Sequence, residues 1–71
     1  MEKIIYVKLK ELRLLRGISI DSISSDLQIS VDKYNAIEKG EIDLKFSKVL
    51  QIVEILQINL SDLFSYNYTY V

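Results

Sequence analysis

The chain has 71 residues, room for one domain at the size where a single hydrophobic core is only just sufficient. It has no cysteine and no histidine, which excludes a disulfide framework and any zinc site built on those ligands; with 49% apolar residues, packing must supply the stability. The net charge of −1 gives no global basic field, and no apolar run reaches the roughly 18 residues of a membrane span, so a cytoplasmic protein is the expectation.

The apolar spacing is helical through most of the chain. Ile5, Leu9, Leu12 and then Leu15 or Arg16 recur at intervals of three and four, predicting a first helix that stops at Gly17. Ser19 is placed to cap a second helix carrying Ile20, Ile23 and Leu27, and Ser30 to cap a third carrying Tyr34 and Ile37 and ending at Gly40. Phe46, Val49, Leu50, Val53 and Leu56 mark a fourth, with Ile52, Ile55 and Ile58 as outward hydrophobes. Asn59, followed by Asp62, opens a short fifth with Leu60, Leu63 and Phe64. The fold class is therefore all-α, a compact bundle of five helices in one domain, residues 1–71, with a core over 9–64 and a tail over 65–71.

The two ends admit two readings. Residues 3–7 are β-branched and aromatic, and Tyr66, Tyr68 and Tyr70 alternate with polar residues. They form either the start of the first helix and a frayed tail, or a short strand at each end.

The ordered set Leu9-Lys10-Glu11-Leu12-Arg13, Gly17-Ile18-Ser19, Leu27-Gln28-Ile29-Ser30, Tyr34 to Gly40 and Ile58 to Phe64 resembles the Cro/repressor-type helix-turn-helix domains, the xenobiotic-response-element group with a lambda repressor-like fold. The resemblance covers roughly four fifths of the chain. It implies that Arg13 and Glu38 form an ion pair beneath the third helix, for which the guanidinium fork is well suited.

It also implies a DNA-binding regulator of transcription, with the second helix across the phosphate backbone and the third entering the major groove. Carried over by position, the contacts are Ser19, Ser30, Val31, Asp32, Lys33, Asn35, Ala36, Lys39, Lys45 and Lys48. Val31 would pack on a thymine methyl and Asp32 accept from a cytosine amino group, while Lys33, Asn35 and Lys39 reach phosphates with Lys45 and Lys48 extending that edge. The partner is double-stranded DNA, bound by a homodimer at two half-sites about one turn apart. The dimer contact is expected around Leu60, Leu63, Phe64 and Tyr66, with help from Ile52, Ile55 and Ile58. A chain this short would act by occupancy, as a small repressor, autoregulator or antitoxin-like partner.

Some positions depart from the family pattern. Ile20 stands where a glutamine often contacts DNA, and Val31 and Asp32 stand where Gln, Arg, Ser or Thr are common. Gln28 and Gln57 replace the usual turn glycines, so these turns are either strained or differently shaped. Asp21 and Asp32 bring negative charge towards phosphate. The acidic balance and the tyrosine-rich tail support a rival reading, the same scaffold used as a protein-interaction module. An enzyme is not expected: the serines read as caps, and Glu38, Glu41 and Asp43 sit near a turn with no pocket to serve. No metal or other cofactor is implied.

Overall fold

The computed structural model describes residues 3–64, which form α1 (Lys3–Leu15), α2 (Ile20–Leu27), α3 (Val31–Glu38), α4 (Phe46–Leu56) and α5 (Leu60–Phe64). No strand occurs among the described residues. Residues 3–7 belong to α1, so the strand reading of this end is corrected. Ile5, Tyr6 and Leu9 bury one helical face, and that burial outweighs local β propensity. The reading of Tyr66, Tyr68 and Tyr70 lies outside the described residues.

The helix ends follow from their caps. The Ser19 hydroxyl accepts from the Ser22 N–H at 3.0 Å and that of Ser30 from the Lys33 N–H at 3.0 Å, each satisfying one orphan donor of the first turn. The Asn59 N–H donates to the Asp62 carboxylate at 3.0 Å, the reaching-back half of a capping box at the start of α5. Gly17 leaves α1 at φ +68°, which lets the Ile18 N–H return to the Arg13 carbonyl at 3.1 Å. Gly40 ends α3 at φ +75°, and here space matters too: a Cβ would lie 3.4 Å from the Tyr6 ring.

The turns at Gln28 and Gln57 keep the glycine shape. Both residues are left-handed, at φ 60° and 57°, and the next N–H closes back on Ser24 and Val53 respectively. They are strained turns, not reshaped ones, at a cost of about 1 kcal/mol each against glycine.

One core joins Tyr6 and Leu9 of α1, Ile23 and Leu27 of α2, Tyr34 and Ile37 of α3, Val49, Ile52, Val53 and Leu56 of α4, and Leu63 of α5. Leu44, between α3 and α4, completes it: its N–H donates to the Tyr6 hydroxyl at 3.2 Å, and that hydroxyl donates to Asp43 at 3.4 Å.

Two expected registers change. Leu15 is exposed, because the inward stripe of α1 runs from Leu9 to Arg13, while Arg16 reaches the end of α4 and donates to the Gln57 carbonyl at 2.6 Å. In α4, Ile52 is fully buried and Phe46 and Leu50 face solvent, because packing against α2 and the rest of the core turns the 49-52-53-56 stripe inward.

Candidate nucleic-acid interface

Helices α2 and α3 are joined by residues 28–30 and pack against each other, with α1 also packed on α3 and α4 on α2. The α2–α3 turn is tied down by the Gln28 N–H on Ser25 and the Ile29 N–H on Ser24, both at 3.0 Å. Ser24 is itself buried, and its hydroxyl donates to the Ile20 carbonyl one turn earlier.

The underside of α3 is fixed by charge. Arg13 Nε donates to Glu38 Oε2 at 2.6 Å and Nη2 to Oε1 at 3.2 Å, with both side chains only 6% exposed. Its remaining arm, Nη1, donates to the Ile18 carbonyl at 2.9 Å. One guanidinium thus ties α1, the α1–α2 turn and the last turn of α3 together. The Glu38 hydrogen bond raises the Arg13 pKa above its ordinary value, so the guanidinium stays charged.

Beside this pair lies the fully buried Tyr34, whose hydroxyl makes no hydrogen bond of good geometry among the described residues. Burial, and then the neighbouring carboxylate of Glu38, push its pKa far above the usual tyrosine range.

The other side of α3 is open. Val31, Asp32 and Lys33 are exposed in its first turns, Asn35 and Ala36 are half-buried, and Lys39 is exposed at its end. At about 100° per residue, Asp32, Asn35, Ala36 and Lys39 lie on the side opposite Tyr34 and Ile37. Lys33 turns instead towards α4. It lines a cleft of about 200 Å³ with Lys45, Ser47, Lys48 and Asp43, floored by Ile29, Ile37, Ile42 and Leu44. Lysines distant in sequence thus share one edge. Lys45 occupies the cap position of α4 without a side-chain cap bond, while its carbonyl accepts from the Lys48 and Val49 N–H groups at 3.0 and 3.1 Å.

A family model described as a helix-turn-helix domain matches residues 6–68. The chain belongs to this family of xenobiotic-response-element-type helix-turn-helix domains. No curated protein and no solved structure matches it significantly. A helix-turn-helix domain of this kind is a DNA-binding regulatory fold, typically without enzymatic activity, and DNA is its general partner. Among the described residues no helix is long and apolar enough to cross a membrane.

Within the helix-turn-helix, Ser19 and Ser30 cap α2 and α3 through their oxygens, and each hydroxyl keeps its proton for a further acceptor such as a phosphate. The residues expected at a dimer contact separate. Leu63 is fully buried in the core and so cannot meet a second copy, as is Ile52; Leu60, Ile55 and Ile58 are half-buried, Phe64 is exposed, and Tyr66 lies outside the described residues. The sequence reading missed the Arg13 bond to Ile18 and the Arg16 bond to Gln57. Both acceptors are backbone carbonyls, which leave no residue-type signal.

Proposed function

We propose that the chain is a sequence-specific repressor or autoregulator, acting in the cytoplasm as a homodimer with α3 in the major groove. The observation that carries this reading is the division of α3 into a side locked onto the core and a solvent side flanked by the Lys33, Lys45 and Lys48 edge. Lysines on one edge can neutralise phosphates while the exposed first turn, with Val31 and Asp32, meets base edges. Ser19, Ser30, Asn35, Ala36 and Lys39 complete the contact set, with residues 9–64 as the working core. Leu60 and Phe64 are the residues of α5 left to a second copy.

The test is the triple variant Lys33→Ala, Lys45→Ala, Lys48→Ala. All three side chains reach solvent, so the melting temperature should hold, while duplex affinity at moderate salt should fall by about a hundredfold. Unchanged affinity would exclude this edge as the phosphate contact.

One observation favours a second reading. Asp32 is exposed at the start of α3, where a carboxylate opposes phosphate. On that reading the same face binds a protein partner, and the parent protein would show no duplex binding even at low salt.

A further inference from the structure

Helix α1 has two apolar sides. The inner one carries Ile5, Leu9 and the half-buried Leu12, and is spent on the core. The outer one carries Ile4, Val7, Leu14 and Leu15, which are 43%, 51%, 59% and 80% exposed. At 3.6 residues per turn these four and Glu11 fall within an arc of about 100°, with Lys8 on its edge. Ile4, Val7, Glu11 and Leu14 repeat at three, four and three residues, the spacing of a helix-pairing seam. None of this is needed to fold the domain, because the core closes on the opposite side.

The stripe also has a direction in which it fits itself. Ile4, Lys8, Glu11 and Leu15 read apolar, basic, acidic, apolar, symmetric in spacing about the point between residues 9 and 10. Two α1 helices crossing antiparallel at that point bring Ile4 of each copy to Leu14 and Leu15 of the other, and Lys8 of each to Glu11 of the other. A parallel pairing would set Lys8 on Lys8 and Glu11 on Glu11, which repels. Within one copy Lys8 and Glu11 are already neighbours at 4.0 Å, with side chains 25% and 60% exposed, so both have freedom to re-pair across a two-fold axis.

We propose that the outer face of α1 is the self-association surface of this protein, occupied by α1 of a second copy in antiparallel register. The proposal rests on the homodimer of the functional reading and moves its contact from α5 to α1. A single helix face is smaller than the roughly 800 Å² per partner of a standard interface, so the expected dimer is a weak one, with a dissociation constant of micromolar order.

Sedimentation equilibrium of the whole chain from about 1 to 300 µM tests this, since that range spans the expected constant. The double variant Val7→Ser, Leu14→Ser alters only exposed positions and should keep its melting temperature at low concentration, while its dimer dissociates about tenfold more readily. Lys8→Glu should weaken the dimer, and Lys8→Glu combined with Glu11→Lys should restore it. An unchanged dissociation constant in the serine variant overturns the proposal, and failure of the charge exchange to restore the dimer overturns the antiparallel register. A dimer broken by Phe64→Ser and not by the α1 variants overturns the proposal while leaving the dimeric DNA-binding reading intact. A monomer at every concentration overturns this proposal and the dimer in that reading together.

Discussion

The inner and outer sides of α3 place opposite demands on the same eight residues. Inside, Tyr34, Ile37 and Glu38 are held by the core and by three hydrogen bonds from Arg13 to Glu38 and the Ile18 carbonyl. Outside, Asp32, Asn35, Ala36 and Lys39 make no such network and mix charge of both signs. The orientation of a surface helix can thus be set entirely from beneath, which leaves its solvent face free to vary in chemistry without loss of fold. In this chain that freedom has produced a sparse basic edge beside an acidic residue.

The contrast can be broken from the inside first. Arg13→Ala strands the buried Glu38 carboxylate and takes the donor from the Ile18 carbonyl, and should cost about 3–5 kcal/mol. An exposed lysine of the same helix, Lys10→Ala, should change stability by no more than about 0.5 kcal/mol. Thermal or urea unfolding of the two variants checks this, and equal midpoints would remove the ion pair from the account.

The pH response comes next. Because burial raises the Tyr34 pKa in the folded state, both states hold the proton below the ordinary value of 10.0, and stability there is independent of this group. Above it the unfolded chain ionises and the folded one does not, so stability should fall as pH rises, by up to about 1.4 kcal/mol per unit. Tyr34→Phe should remove that part of the alkaline slope. At neutral pH it should change stability by no more than about 1 kcal/mol in either direction, since the hydroxyl it deletes lies beside Arg13 and Glu38 without a hydrogen bond of good geometry among the described residues.

Gln28→Gly relieves a left-handed residue at the turn that sets α3 in place, and should stabilise by up to about 1 kcal/mol. The reverse change, Gly17→Gln, should destabilise by a similar amount although open space surrounds the Cβ position.

The smallest effect belongs to the outer face. Asp32→Asn should leave the melting temperature unchanged and raise affinity for random-sequence duplex a few-fold, about 0.5–1 kcal/mol, by removing one repulsion from phosphate. On a selected site the same variant should relax the preference at one base pair, because there the carboxylate accepts from a base edge; an unchanged preference would remove Asp32 from the base contacts.

Much of this architecture was legible before the structure, for local reasons. Gly17, Gly40, Ser19 and Ser30 mark helix ends through backbone and capping rules that act within a few residues, and the structure puts them at those ends. The orientation of α4 was not legible. Phe46, Val49, Leu50, Ile52 and Val53 are all apolar, so periodicity alone cannot say which face the core takes, and only packing against α2 and the rest of the core selects Ile52 over Leu50. The state of the Gln28 and Gln57 turns was equally open, because a strained residue persists only when its surroundings hold it. Of the candidate interface, the α3 positions came only from the family resemblance, while the caps could be read from spacing. The convergence of Lys33 with Lys45 and Lys48 could not, since it depends on how the α3–α4 loop brings the start of α4 beside α3.

The central claim is that the lysine edge beside α3 meets DNA phosphate, and a salt titration of binding to random-sequence duplex by fluorescence anisotropy tests it most directly. With Lys33, Lys39, Lys45 and Lys48 as the contacting cations, the logarithm of affinity should fall against the logarithm of salt with a slope of roughly −3.6 per copy. A slope near zero, or no binding at low ionic strength, would contradict the account and assign this face of the helix-turn-helix to a protein.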